Sequence, residues 1–438
     1  MTALALFASG VAVFLRGLCP EIHSKPGSLE TGLFINRPGC RGRRAGTPSC
    51  DAPCRLRAEP GLLSITGPET FRSGTELVRW RMAVNTFGMF LLRRSFLRHT
   101  LSAAVLAGAS ARLSSAVAAP VRQKVIFDTD PGVDDTMALL LLRYTPGIDL
   151  IGITTAAGNG RIETTTRNAL YLAERFRIEA PVAMGQGTSL DGITSEPPVS
   201  IHGKNALGDI AIPAIRHKVD GRPAHELMID LIRAHPHEIT LIATGHMTNL
   251  GLALRKAPEI ASLVKNVVLM GGAFGYNGAR GNITPVAEAN FHGDPRAADE
   301  VCGASWPLTI VGLDVTTRTI MTDAYFADLR DRGGAAGRFL WDVTRVYMDF
   351  HKSLGLPGIY VNDASAAAFV IDPALFRTVS GAVRVVRGGI SDGESAMKPD
   401  GRKFPPGDWD HRPSPAVCVD VDADGVRALF SRTILRAG

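Results

Sequence analysis

The chain has 438 residues, 45% apolar and 21% charged, a globular composition that excludes a disordered or fibrous protein. A formal net charge of +6 would suit nucleic acid or an anionic membrane, but residues 1–120 hold 15 Lys+Arg against 6 Asp+Glu, and residues 121–438 hold 33 against 36. The basicity belongs to the leader, so the mildly acidic body is expected to have no nucleic-acid partner.

Residues 1–81 show no sustained hydrophobic period and are rich in Arg, Pro, Gly and Cys, as in Arg37-Pro-Gly-Cys-Arg-Gly-Arg-Arg44. They read as a disordered extension or as sequence upstream of the true start, with Met82 and Met89 available. Cys19, Cys40, Cys50 and Cys54 crowd this stretch with no second Cys or His pair at ligand spacing, so they read as unpaired thiols rather than a zinc site. Residues 82–120 form a second segment. Leu92-Arg-Arg-Ser-Phe-Leu-Arg98, a mild apolar run over 99–109 and Ser115-Ala-Val-Ala-Ala-Pro120 follow the layout of an export signal. Arg93-Arg94 ahead of Phe96-Leu97 matches the twin-arginine subtype, which predicts a periplasmic or secreted bacterial protein. An organellar transit peptide shares the Arg- and Ser-rich composition.

From residue 123 the hydrophobic period alternates between strand and helix. Strands are expected over 124–127, 149–155, 238–243, 266–270, 307–313 and 416–419. Helices are expected over 134–144, 163–176, 247–264, 295–302 and 426–435. Repeated β–α–β units with apolar strands predict a single α/β domain over 121–438, a mostly parallel, Rossmann-like sheet flanked by helices. Ligands of such sheets sit beyond the C-terminal strand ends, where Asp128, Asp130, Asn159, Thr244, Gly271-Gly272 and Asp314 fall. Cys302 and Cys418 have apolar surroundings and read as core residues. No later stretch reaches ~18 uninterrupted apolar residues, so no membrane span is expected in the mature body.

The strongest signal is Asp128-Thr-Asp-Pro-Gly-Val-Asp-Asp135, four carboxylates within eight residues at a strand–helix junction. Pro131-Gly132 turns the chain tightly between them. The helix dipole helps hold Asp134 and Asp135, but it does not offset the repulsion of four packed acids. A hard divalent cation, Ca²⁺ or Mg²⁺, would. Helix capping alone needs only one or two of these acids. Gly132 stands where an EF-hand needs its third ligand and where an aspartyl-nucleophile phosphatase has Thr or Val. Asp420-Val-Asp-Ala-Asp-Gly425 opens like an EF-hand, but Ser431 replaces the closing Glu, so it reads as a solvated turn.

The octapeptide resembles the N-terminal signature of the inosine-uridine-preferring nucleoside hydrolases. Ala157-Gly-Asn159, Ser200-Ile-His-Gly203, Ala243-Thr-Gly-His-Met-Thr-Asn-Leu250, Val268-Leu-Met-Gly-Gly272, Asn282 with Glu288-Ala-Asn290, and Asn362-Asp363 are similar to that family's later motifs, in the same order. The resemblance implies Ca²⁺-dependent hydrolysis of the N-glycosidic bond of ribonucleosides. It implies Ca²⁺ ligands at Asp130, Asp135, Asp363 and the Thr244 carbonyl, with Asp130 also the general base. Asp134, Asn159, Met270, Asn282, Glu288 and Asn290 would line the ribose, Asn362 would border the substrate, and His202 would lie near the base. Asp128 would support the cluster from behind. The family also implies a homodimer or homotetramer.

Two departures stand out. Asn362 occupies a position where pyrimidine-accepting relatives carry His, and an amide cannot act as an acid at neutral pH. Ala289 stands where a large aromatic is usual. His202 is therefore a candidate acid, Tyr347, His351 and Tyr360 are others that read first as core-packing or solvent-exposed residues, and His246 has no assigned role. Hydrolysis of another N-ribosyl compound, and a binding protein without turnover, remain as alternatives.

Overall fold

Strand alternation assigns the two faces of the sheet. In β1 (Gln123–Thr129), Val125 and Phe127 enter one apolar cluster, and Ile126 enters the other. The same division recurs in β4 (Ile239–Ala243), with Ile242 against Leu241 and Ala243, and in β5 (Asn266–Met270), with Val268 against Val267 and Leu269. Strands buried on both faces in this way are covered by helices on both sides. The computed structural model describes residues 122–437, so the expected extension 1–81, the export segment 82–120 and their four cysteines lie outside the described residues.

The remaining strands are β2 (Ile148–Thr155), β3 (Val182–Met184), β6 (Leu308–Val311), β7 (Ile320–Thr322), β8 (Gly358–Tyr360), β9 (Phe376–Val385), β10 (Ser395–Pro399) and β11 (Ala416–Val421). Of the eleven strands among the described residues, nine form one sheet in the order β10-β9-β11-β6-β5-β4-β1-β2-β3. From β3 to β11 the pairing is parallel; β9 and β10 add an antiparallel edge. The expected single, mostly parallel α/β domain is what the chain builds.

The order reverses between β1 and β4, and this switch point places the site. Asp128 is in register with Thr154 of β2 and Ala243 of β4, so the segments after these three strands emerge together at one sheet edge. Such a crevice is where open parallel sheets bind ligands.

Most expected elements match within a residue or two, and one does not. The helix expected over 247–264 is two helices, Thr248–Lys256 and Ile260–Leu263. Pro258 lacks an N–H and disfavours helical geometry at Ala257, whose ψ is 71°. The acidic run after β11 is a helix cap: the Asp422 carboxylate accepts from the Gly425 N–H at 2.9 Å at the start of the helix Ala423–Leu435. Cys302 and Cys418 are free and buried, one on each side of the sheet. Among the described residues, no helix is long and apolar enough to cross a membrane.

Candidate active site

The octapeptide runs from the end of β1 into the helix Val133–Tyr144, and its acids are all buried. Asp128 Oδ1 accepts from Thr154 Oγ1 at 2.7 Å and from Asn249 Nδ2 at 2.9 Å, which tie it to the neighbouring strand and the helix after β4. Asp135 collects the most donors. Its Oδ1 accepts from the hydroxyls of Thr129 and Thr244, and its Oδ2 accepts from the Gly132 N–H at 3.0 Å and Asn159 Nδ2 at 2.8 Å. Asp130 Oδ2 accepts from the Asn159 N–H at 2.8 Å. Asp134 Oδ2 accepts from the Tyr347 hydroxyl at 3.1 Å.

Two glycines make room for this convergence. A Cβ on Gly158 would stand 2.0 Å from Asp130 Oδ2, and one on Gly132 would stand 2.6 Å from Asn159 Nδ2 and 2.8 Å from His202 Nδ1. The glycines of both motifs are therefore required by close approach of the acids, Asn159 and His202.

Carboxylate oxygens of Asp134, Asp135 and Asp363 lie within 4.8 Å of one another. The expectation had Asp130 in this triangle; Asp134 takes that corner, and Asp130 stands beside it. Asp130 Oδ1 and Asp134 Oδ1 are buried with no hydrogen-bond partner. Burial raises Asp130 and Asp363 well above the ordinary carboxylate range, and repulsion from neighbouring acids adds to it. Burial raises Asp134 and Asp135 too, and it pushes Asp128 to about 7. Among the described residues, the one ion pair to this group is His202 Nδ1, 3.8 Å from Asp134 Oδ1. Burial lowers His202 to about 4, so it brings no charge at neutral pH. Buried acids with unused oxygens and no compensating cation are a site for a hard divalent ion.

The expected ribose residues converge around a cavity of about 280 Å³ above this floor, lined by Asp134, Asn159, Met270, Asn282, Glu288 and Asn290, with Thr244 and Asp363 beneath. Glu288 also caps the helix Ala289–Gly293, accepting from the Asn290 and Phe291 N–H groups and from the Gly272 N–H at 2.9 Å. Asn290 Nδ2 donates to the carbonyls of Thr244 at 2.8 Å and Met270 at 3.1 Å, so the Thr244 carbonyl expected to face a metal already accepts one hydrogen bond. Asp314 lies apart from the acid floor. It accepts from the Phe274 and Tyr276 N–H groups and anchors the loop after β5.

The other side of the same cavity is aromatic. His202 stacks on Tyr347 at 5.1 Å between ring centroids, Tyr347 meets His351 edge-on at 4.5 Å, and His351 meets Tyr360 at 5.5 Å. Asn362 Nδ2 donates to the Tyr347 hydroxyl at 3.2 Å, and its Oδ1 accepts from Thr316 Oγ1 at 2.9 Å. Tyr347, His351 and Tyr360 thus wall the cavity, although the sequence reading favoured packing for them. The available signal was the i, i+4 spacing of Tyr347 and His351, which places both on one helix face.

The model of the inosine-uridine preferring nucleoside hydrolases matches residues 125–428. The chain belongs to that family. As a nucleoside hydrolase it acts on N-glycosyl bonds, cleaving ribonucleosides. It is 36% identical to uridine nucleosidase 1 of Arabidopsis thaliana over 72% of this chain and 94% of that protein. It is 40% identical to the inosine-uridine preferring nucleoside hydrolase of Leishmania major over 58% of this chain and 81% of that protein. The solved plant nucleoside hydrolase PpNRh1 superposes with a TM-score of 0.68 at 34% identity, covering 71% of this chain and 98% of that one.

These relatives overturn the expected periplasmic or secreted bacterial location. The similar proteins include uridine nucleosidases of Arabidopsis thaliana and Oryza sativa, and plant cells have no periplasm. The paired arginines misled because Arg- and Ser-rich leaders serve several compartments with the same charge pattern.

Proposed function

We propose that this nucleoside hydrolase is Ca²⁺-dependent and uses Asp130 as the general base that activates water. The observation carrying this reading is the buried triangle of Asp134, Asp135 and Asp363, with the partnerless Asp130 Oδ1 beside it. An all-oxygen donor set suits Ca²⁺, with Asp130, Asp135, Asp363 and the Thr244 carbonyl as the expected ligands and Asp134 close enough to share them. When bound, the cation supplies Lewis acidity that makes a nearby water easier to deprotonate.

The chain's own groups supply the rest. Asp130 accepts one proton of the water as its oxygen bonds to the anomeric carbon and the bond from that carbon to the base nitrogen breaks. Positive charge develops on the sugar ring, and the carboxylates of Asp134 and Glu288 stabilise it. Asp134 and Asn159 hold the ribose hydroxyls, and Asn282, Glu288 and Asn290 hold the 5′ end. Attack opposite the base inverts the anomeric centre.

On the base side, His202 Nδ1 accepts from the Val133 N–H at 3.3 Å, so the neutral ring carries its proton on Nε2. His351 Nδ1 lies 2.8 Å from the Tyr347 carbonyl, which can only accept, so its proton is committed there. The Tyr347 hydroxyl donates to Asp134. His202 Nε2–H is therefore one donor on this wall free to meet the departing base, and the Tyr360 hydroxyl is a second. Being neutral, His202 stabilises the base by a hydrogen bond, whereas full proton transfer needs the imidazolium. Asn362 serves as a positioning residue, its Nδ2 donating to the Tyr347 hydroxyl and, at 3.4 Å, to Asp134 Oδ2.

The test is to incubate the protein with a panel of ribonucleosides and measure reducing sugar, first in EGTA and then with Ca²⁺ restored. Turnover that vanishes with chelator and returns with Ca²⁺ is expected. Full activity in EGTA overturns the metal dependence.

A further inference from the structure

A second chamber of about 610 Å³ adjoins the ribose cavity and shares Asn159, Pro198, Ile283, Ala289 and Asn290 with it. The hydrolytic reaction described above uses only the inner end of this space, where Asp130, Asn159 and Asn290 line it. Its position is informative. The aromatic wall faces the base, and the outer chamber opens on the side of Ile283, Ala289 and Asn290, where the 5′ end of the ribose is held. Ala289 begins the helix Ala289–Gly293, and the Asn282 side chain accepts from its N–H at 2.9 Å, so the backbone here is pinned. A methyl side chain at that point leaves the passage between the two chambers open.

The lining indicates the chemistry of what enters. Ile193 and Ile283, 63% and 50% exposed, present apolar surface to water at the chamber's rim, and Pro198 and Ala289 continue it inward. Arg387 contributes the chamber's guanidinium, but it lies 3.7 Å from Asp191, which also binds Arg296 at 2.8 Å. Asp392 and, at the inner end, Asp130 add negative charge. A phosphate on the 5′ oxygen would meet these carboxylates beside a guanidinium that already leans on Asp191, whereas an apolar substituent would cover the exposed isoleucines.

We propose that the substrates of this enzyme include ribonucleosides bearing a neutral, apolar 5′ substituent, which occupies the outer chamber while the bond to the base is hydrolysed in the inner one. This inference rests on the nucleoside-hydrolase reading and its placement of the 5′ end. The products are the free base and the 5′-substituted ribose, and water is the co-reactant.

The experiment compares kcat/KM of the Ca²⁺-loaded full chain for inosine and uridine, their 5′-deoxy-5′-methylthio derivatives and their 5′-monophosphates. Ala289→Phe, which fills the passage, and Ile193→Asp, which charges the rim, are measured alongside. The methylthio compounds are expected to be cleaved within about 10-fold of the parents, the apolar contact in the outer chamber offsetting the lost 5′ hydroxyl. Each variant is expected to lose about 10-fold or more on them, the scale of one apolar group in a fitted pocket, while Ile193→Asp, which lies outside the ribose cavity, changes the parents little. Wild-type discrimination of about 100-fold against the methylthio group, a preference for the phosphates, or equal losses on parents and derivatives in both variants overturns the inference. If none of these nucleosides releases base, the underlying reading falls as well, so parent turnover separates the two failures.

Discussion

The floor and the far wall of the ribose cavity are built in opposite ways. The floor is acidic, comes largely from eight consecutive residues at a strand end, and meets its acids with backbone N–H groups, threonine hydroxyls and Asn159 while leaving Asp130 Oδ1 and Asp134 Oδ1 without a partner. The wall is neutral and aromatic, and comes from the short helix Val199–His202, the helix Arg345–Ser353 and β8. The floor is a preorganised electrostatic device in which sub-ångström errors are costly. The wall meets the base mainly through ring faces and edges, which tolerate exchange of one base for another. Rate should therefore reside in the floor and base preference in the wall.

Changes that break the floor should have the largest effects. Asp130→Asn keeps the shape and removes the base, and kcat should fall by about 10²–10⁴-fold, read by reducing-sugar release. In EGTA the same variant should melt at a higher temperature than wild type, because an unpaired buried charge has been removed. Gly158→Ala should come next. Its Cβ collides with Asp130 Oδ2, and displacement of a catalytic group by about 1 Å costs about 100-fold. Equal kcat in Gly158→Ala and wild type would show that Asp130 needs no such fixed position.

The Tyr347 hydroxyl joins wall to floor, so Tyr347→Phe sharpens the contrast. Losing a hydrogen bond to a charged acceptor is worth about 1.5–3 kcal/mol, or about 10–100-fold in kcat/KM, and the loss should be similar for inosine and uridine because Asp134 faces the sugar. A loss confined to one base would instead assign Tyr347 to the wall alone. The smallest effect should come from Asp422→Ala, distant from both regions. It removes a helix cap worth about 1 kcal/mol, so the melting temperature drops and kcat stays constant.

Much of this was legible in the chain. The alternation in β1, β4 and β5 is strong because buried parallel strands are almost uninterrupted in apolar residues. Asp128, Asp130, Asp134 and Asp135 could be found because one turn carries them all. Pro258 hid in an otherwise helical pattern, the short strands β3, β7, β8 and β10 were too brief or polar to show a period, and β9 went unread because its polar first half and Gly381 break its alternation. Tyr347 and His351 looked like ordinary core residues, since burial alone does not distinguish packing from a cavity wall.

The sequence by itself determined the fold class, the strand-end location of the acids and the identity of the family, because local period and short motifs depend on neighbours in the chain. Only the tertiary structure decided that Asp134 sits in the group with Asp135 and Asp363, that Asn362 donates to both Tyr347 and Asp134, and that Ala289 opens onto a second chamber. Those relations depend on distances across the switch point of the sheet, which are set when β1 and β4 pair and the helices pack down on them.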